Sequence, residues 1–204
     1  MYRTFGKRLF DLIFSFAGLV LMMPVFLVVP VLIQADSPGP VFFLQRRMGR
    51  NGRSFSLLKF RSMASDTERE KKGFEPGAAS RVTGVGRILR KTKLDEVPQL
   101  VNVFIGDMSF VGPRPEVERY QDFYAGPFAE VLSVRPGITD EASIKYRHEE
   151  EILVASGDPE KTYREIILPD KLKLALSYVR DGISLRTDIG IIFQTLRAVI
   201  KRVE

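Results

Sequence analysis

The run Leu12-Ile13-Phe14-Ser15-Phe16-Ala17-Gly18-Leu19-Val20-Leu21-Met22-Met23-Pro24-Val25-Phe26-Leu27-Val28-Val29-Pro30-Val31-Leu32-Ile33 decides how this chain is built. It holds no charge, and as a helix rising ~1.5 Å per residue it would extend roughly 33 Å against a hydrocarbon thickness of ~30 Å. Length therefore permits a membrane span, but two features oppose a straight one. Pro24 stands near the midpoint and Pro30 near the end; each removes a helix donor and crowds the carbonyl four residues earlier, so the helix should break at Met23-Pro24. In lipid the carbonyl of Val20 then needs another partner. The flanks agree: Arg3, Lys7 and Arg8 precede the run and Arg46, Arg47, Arg50 and Arg53 follow it, which places both ends on the cytoplasmic side by the positive-inside rule. The pattern favours a re-entrant helix-break-helix in residues 1–36, dipping into one leaflet, over a tilted transmembrane helix kinked at proline. A cleavable signal fits less well, because Ile33-Gln34-Ala35 lacks the paired small residues of a cleavage site.

The remainder, residues 37–204, has the length and apolar content for one cytosolic domain with its own core. Cysteine is absent and His148 is the only histidine, which excludes thiol nucleophiles, disulfides, thiolate zinc sites and any site needing several histidines. A Ser-His-Asp hydrolase would have to use His148, and no Gly-x-Ser-x-Gly elbow accompanies it. Residues 1–93 carry 17 Lys/Arg against 6 Asp/Glu, whereas residues 94–204 carry 14 against 19. Basic residues beside an apolar run point to anionic membrane lipid, and no nucleic-acid-binding module follows them.

After the turn residues Asp36-Ser37-Pro38-Gly39-Pro40, strands are predicted over Val41–Gln45 and Phe55–Arg61, with Asn51-Gly52 as a type I′ hairpin signal. Lys59 and Arg61, two apart on a strand, point to one face, where they either hold a diphosphate together or form a solvated edge. Ala64–Ser80 reads as a short helix followed by a loop, more simply an inert surface segment than a lid. Thr83-Gly84-Val85-Gly86-Arg87 is too short for a dinucleotide fingerprint, and Val85–Lys93 reads as a basic helix.

Next comes Leu94-Asp95-Glu96-Val97-Pro98-Gln99-Leu100-Val101-Asn102-Val103-Phe104, which looks like a helix start with Asp95 at or near the N-cap. A cap and dipole partner is the plain reading of such an acidic pair. Its surroundings suggest more. Arg87, Arg90, Lys91 and Lys93 precede it, and Arg114, braced between Pro113 and Pro115, follows on a stiff turn from which arginine can grip two phosphate oxygens. A carboxylate attacking a diphosphate must overcome charge repulsion, which calls for such cations and for Mg²⁺. The residues alone allow either Asp95 or Glu96 to be the nucleophile and the other its helper.

At this point the chain resembles the monotopic phosphoglycosyl transferases, bacterial sugar transferases that initiate glycan assembly on polyprenyl phosphate. The resemblance runs through Lys7-Arg8 and the apolar hairpin, Lys59-Phe60-Arg61-Ser62-Met63, Leu94 to Asn102, Gly106-Asp107-Met108-Ser109-Phe110-Val111-Gly112-Pro113-Arg114-Pro115 and Arg135-Pro136-Gly137-Ile138-Thr139. It implies that Asp95 is the nucleophile on the β-phosphate of a UDP-sugar, releasing UMP through an aspartyl phosphosugar intermediate, and also the Mg²⁺ ligand. Glu96 would be its acid/base or positioning partner, and Lys59, Arg90, Arg114 and Arg147 the phosphate or nucleotide residues. It further implies polyprenyl (undecaprenyl) phosphate as acceptor and an active site on the cytoplasmic face of the bacterial inner membrane. The chain starts at the membrane segment, as the small class does, and a homo-oligomer is compatible with this reading. Two departures stand out: Met23-Pro24 replaces the family's frequent Ser-Pro break, and Asp140-Glu141-Ala142-Ser143-Ile144-Lys145-Tyr146 differs from the usual approach to Arg147. Rival readings are a membrane-anchored basic scaffold whose acidic pair only caps a helix, and a Mg²⁺-dependent phosphohydrolase.

The last third reads as helical pieces over Glu116–Phe123 and Phe128–Leu132, then Pro159–Ile167 and Asp170–Asp181, with His148 solvated or paired to a nearby carboxylate. Thr187–Val203 places Ile189, Ile192, Phe193, Leu196, Val199, Ile200 and Val203 at helical spacing. Core packing is the plainer reading of that stripe, and an interfacial helix lying on the headgroups is the alternative. The expected class is α+β, mainly helical: a re-entrant membrane segment, a small β-hairpin, and amphipathic interfacial helices around a compact cytosolic domain.

Overall fold

The computed structural model describes residues 2–64 and 81–203, so the predicted helix and loop over Ala64–Ser80 falls, apart from Ala64, outside the described residues. The apolar run forms two helices, α1 (Lys7–Leu21) and α2 (Met23–Asp36), bent by 57° at Met22. Pro24 sits in the first turn of α2, where a missing N–H costs nothing, and Met22 bridges the bend by donating to Gly18 O at 2.9 Å and accepting from Phe26 N at 3.1 Å. The predicted break is present, and α2 continues through Pro30.

Both helices lie with one face on the rest of the chain. The buried face of α1 carries Asp11, Ser15 and Gly18; Gly18 meets Leu100 of α4 (Gln99–Ile105), which follows α3 (Gly84–Thr92) in the chain. Asp11 Oδ1 accepts from Ser109 Oγ and Phe110 N, both at 3.0 Å, and Arg8 donates to Val103 O at 2.7 Å and Phe104 O at 2.8 Å. These arginine bonds cap the last turn of α4, where Val103 O also accepts from Gly106 N at 3.2 Å. In α2, Val29 and Ile33 are buried with Phe60 and Leu89. The outward faces expose Leu9, Ile13, Phe16, Val20, Leu27 and Val31.

The hairpin pairs β1 (Phe42–Met48) with β2 (Ser54–Phe60), Phe42 opposite Phe60 and Phe43 opposite Lys59. Asn51 (φ 57°) and Gly52 (φ 71°) take the two left-handed positions expected of Asn-Gly. Two parallel strands of three residues, β3 (Ser109–Val111) and β4 (Gly137–Thr139), were not expected. They cross where Gly112 and Gly137 touch backbone to backbone: a Cβ built on Gly137 would lie 2.2 Å from Gly112 N.

Beyond β4 come α5 (Glu141–Lys145), α6 (Glu149–Ala155), α7 (Pro159–Thr162), α8 (Leu168–Ser177) and α9 (Leu185–Val203). Glu118–Tyr124 and Gly126–Ser133 wind as 3₁₀ turns and contribute Tyr120, Tyr124 and Val131 to a core with Leu153, Ile167, Leu168 and Leu172. The stripe on α9 divides: Ile192 packs partly against Val111, Tyr178 and Val179 beside the buried Ile191, which the stripe did not include, whereas Ile189, Phe193, Leu196 and Ile200 are all more than half exposed. Core packing therefore accounts only for the inner edge of this helix. At its start the buried Asp188 accepts from Tyr2 and Tyr178 hydroxyls, each at 2.7 Å, and from Lys7 of α1.

Two glycine variants should separate close approach from backbone conformation. Gly137→Ala must push β3 and β4 apart and should lose about 2 kcal/mol or more of stability. Gly52→Ala meets nothing within 4 Å and should lose only about 1 kcal/mol, the cost of a left-handed alanine. Thermal melts of the purified protein in one detergent measure both, and equal losses would contradict the close-approach account.

Candidate active site

The basic helix α3 starts with Thr83 Oγ1 accepting from Gly86 N at 3.0 Å and ends at Lys93, whose left-handed backbone (φ 61°, ψ 15°) is uncommon outside glycine. That corner throws the chain into a 3₁₀ turn, Leu94–Glu96, and only after Pro98 does α4 begin. The expectation that Asp95 caps α4 is therefore corrected: Pro98 occupies the flanking position, without a side-chain cap. Asp95 is 8% exposed, and among the described residues its Oδ1 is buried without a hydrogen-bond donor. Unpartnered buried carboxylate oxygens are rare because they forfeit water without replacement.

Glu96 is the opposite case. Its Oε1 lies 2.9 Å from Arg114 Nη2, 3.1 Å from Lys59 Nζ and 3.9 Å from Lys93 Nζ. Burial alone would raise the Glu96 carboxyl, but Arg114, Lys59 and Lys93 outweigh it and hold it well below the usual carboxylate range. Asp95 is pushed up, first by burial and then by the charge of Glu96, with Lys59, Lys93 and Arg90 opposing. Lys93 is pushed down, chiefly by burial, while Arg114 is raised by Glu96. Two adjacent carboxylates thus have divergent environments, one paired with three cations through Oε1 and one without an ion pair among the described residues, which is how paired acids acquire different roles.

Lys59 reaches Glu96 because α4 docks on the edge of β2. Asn102 Oδ1 accepts from Leu58 N at 3.0 Å and its Nδ2 donates to Ser56 O at 2.9 Å, standing in for a neighbouring strand. Sequence reasoning gave Asn102 no role, because at ~100° per residue it falls opposite the apolar face of Leu100, Val103 and Phe104, where a polar side chain reads as solvated. Arg114 is fixed from several sides. Its N–H donates to Asp140 Oδ2 at 3.1 Å, its Nη1 to Ile138 O at 3.3 Å, and Pro113 O accepts from Gly137 N at 3.0 Å. Asp140, also unassigned by sequence reasoning, caps α5 with its other oxygen through Ser143 N at 2.7 Å.

The remaining expected site residues lie apart from this centre. Arg61 follows the last residue of β2, with its N–H still paired to Val41 O at 2.8 Å, and its side chain does not join Lys59 at Glu96. Arg61 is instead 5% exposed and donates to Ser37 O (2.6 Å) and Pro38 O (3.0 Å) just beyond the carbonyl end of α2, where a cation is favoured. Arg90 pairs with Glu150 at 3.0 Å while its charge favours ionised Asp95. Arg147 is exposed, with no ion pair among the described residues. Met23 and Pro24 lie at the helix bend, and His148 pairs with Glu151 at 3.0 Å on the surface, as expected. Among the described residues no three His, Asp or Glu side chains gather into a metal-binding group. Asp95 Oδ1 does fit a single hard-cation ligand, with phosphate oxygens and water completing the shell, as is usual for Mg²⁺.

The sequence matches the family described as Bacterial sugar transferase over residues 2–202. A protein of Aeromonas hydrophila named UDP-N-acetylgalactosamine-undecaprenyl-phosphate N-acetylgalactosaminephosphotransferase is 36% identical over 97% of this chain and 44% of its own length. The exopolysaccharide production protein ExoY of Sinorhizobium fredii is 34% identical over 95% of this chain and 85% of its own. A Klebsiella pneumoniae protein named UDP-glucose:undecaprenyl-phosphate glucose-1-phosphate transferase is 37% identical over 93% and 39%, respectively. The chain thus spans less than half of two of these relatives and most of the third.

The two carboxylates should respond oppositely to neutral replacement. At pH 7 Asp95→Asn should melt at or above the wild type, because ionised Asp95 is disfavoured in the folded state. Glu96→Gln should lose about 2 kcal/mol or more, leaving Arg114 and Lys59 without their acceptor. The contribution of Glu96 is present above its unfolded pKa of ~4.3 and lost as pH falls through its lower folded value, so the Glu96→Gln deficit should shrink in acid. Melting curves from pH 7 down to pH 4 check this, and a deficit that grows in acid would contradict the assignment.

Proposed function

The chain belongs to the bacterial sugar transferase family, and from that premise we propose that it moves a sugar 1-phosphate from a UDP-sugar to a polyprenyl phosphate, yielding a polyprenyl diphosphate sugar and UMP. The observation that carries this reading is the buried, hydrogen-bond-free Oδ1 of Asp95 beside a Glu96 whose Oε1 is held by Arg114, Lys59 and Lys93. Of the two carboxylates, Asp95 is the one that makes no ion pair among the described residues, which leaves it uncommitted for bond formation.

Asp95 attacks the β-phosphorus of the UDP-sugar, the bond from that phosphorus to the bridging oxygen breaks, and UMP leaves with the electron pair. The sugar phosphate is then carried as an acyl phosphate on Asp95. A phosphate oxygen of the polyprenyl acceptor attacks the same phosphorus, expelling the Asp95 carboxylate and forming the new diphosphate. Burial raises the Asp95 carboxyl, which strengthens it as a nucleophile, while Lys59, Lys93 and Arg90 favour its ionised form. Arg114 and Lys59 face the incoming diphosphate with their charge already ordered by Glu96, so little reorganisation remains at the moment of transfer. Asp95 would supply the protein ligand for Mg²⁺, which when bound neutralises diphosphate charge and eases the approach of the carboxylate.

The acceptor is a lipid, and the apolar surface suits one. Among the described residues no single helix is long and apolar enough to cross a membrane, while α1 and α2 qualify only as a bent pair. We infer that this pair enters one leaflet and returns, and that the exposed Ile189, Phe193, Leu196 and Ile200 of α9 lie in the headgroup region. This holds the site on the cytoplasmic face of the bacterial inner membrane.

A UDP-sugar radiolabelled in the β-phosphate should label the protein without acceptor, and Asp95→Asn should abolish the label. UMP released only when polyprenyl phosphate is present, with no labelled protein, would replace the intermediate by direct transfer. For topology, cysteines at positions 4 and 36 should both react with an impermeant reagent from the cytoplasmic side of inside-out vesicles, and labelling from opposite sides would exclude re-entry.

A further inference from the structure

Behind the Pro113-Arg114-Pro115 loop lies a second cluster of buried charge that none of the transfer steps uses. Glu116, 7% exposed, follows the loop directly. Its Oε1 accepts from the Tyr163 hydroxyl at 2.6 Å and lies 3.7 Å from Lys171 Nζ; its Oε2 lies 3.8 Å from Arg47 Nη1. Arg47 donates from that same nitrogen to Pro115 O at 3.0 Å and is steadied by Gln45 Oε1 at 2.8 Å, while Met48 N donates to Glu116 O at 2.9 Å. Lys171 in turn pairs with Glu149, two residues after Arg147. Two carboxylates and two cations from β1, the arginine loop, α6 and α8 thus close into a neutral set.

Stability alone does not require such a set, since well-packed apolar side chains often replace buried ion clusters without loss. Its position supplies another reason. Arg47 is close enough for Arg114 and Glu96 to act on its charge, so an uncompensated Arg47 would repel Arg114 and compete for Glu96. We propose that Glu116 is a positioning residue for the transfer reaction: its carboxylate retains Arg47 and Lys171 behind the loop and, through Pro115 O, fixes where Arg114 meets the diphosphate. This rests on the sugar-phosphate transfer reading given above. Tyr163 and Lys171 serve the same carboxylate, and Glu149 carries the linkage to the segment that presents Arg147.

A purely structural role and a positioning role differ in their dependence on Arg114. Glu116→Gln, Tyr163→Phe, Arg114→Lys and the two doubles with Arg114→Lys should be compared for UMP release from a UDP-sugar, for equilibrium binding of UDP and for melting temperature. Glu116→Gln should lower kcat/KM about tenfold and weaken UDP binding in the wild-type background, yet change either by less than about twofold in the Arg114→Lys background. Tyr163→Phe, which keeps the charges, should show a smaller loss with the same dependence and keeps the test open if Glu116→Gln does not fold. Equal losses in both backgrounds, or losses that follow melting temperature alone, would overturn the proposal. If the wild type released no UMP while UDP binding still showed the Arg114 dependence, the transfer reading would fall and the positioning role would stand.

Discussion

Three segments converge on one oxygen, Glu96 Oε1: the hairpin through Lys59, the left-handed corner through Lys93 and the proline-braced loop through Arg114. None of them is stable alone. A two-stranded hairpin is marginal in water, a 3₁₀ turn carries few bonds, and the loop is held by contacts to its neighbours. Concentrating three cations around one carboxylate in a poorly solvated place costs desolvation, visible in the disfavoured charge of Lys93. The return is orientation: one acceptor orders three cations and leaves the neighbouring Asp95 outside the ion pairs.

The elements that declared themselves in the sequence are those whose cause is local. Pro24 broke the apolar run because a missing N–H acts on its own turn, Asn51-Gly52 made a hairpin because both residues tolerate positive φ, and the basic segment became α3. What stayed hidden depends on distant partners. Asp95 was expected near a cap because nothing local announces a left-handed lysine at position 93. Lys59 and Arg61 were weighed as a joint diphosphate pair because strand alternation says nothing about the carbonyls of Ser37 and Pro38 that take Arg61. The strands β3 and β4 are three residues each, too short for periodicity to register. At the site, Asp95, Glu96, Lys59 and Arg114 were legible as a group, whereas Asn102 and Asp140 act by bonding main chain that is far away in sequence.

The apolar surface follows one rule throughout. α1, α2 and α9 each bury one edge against protein and leave another apolar edge uncovered, so their polar groups on the protein side have specific partners. Asp11 is the sharpest instance: a carboxylate at the border of the apolar run that reads as a liability in lipid is spent on Ser109 and Phe110, at the strand leading into the arginine loop. The helix that carries the apolar run is thereby tied to the strand that leads to Arg114.

Lys7 and Asp188 also bear on the order of events in time. They stand 181 positions apart, and Asp188 is shared with Tyr2 and Tyr178. During synthesis Lys7 emerges long before its acidic partner exists. Only when the ribosome has delivered Asp188 can the pair be sealed from water. Closure of this contact between distant parts of the chain therefore comes after the local helices have formed, and α9 acts as a latch on the helix made 181 positions earlier.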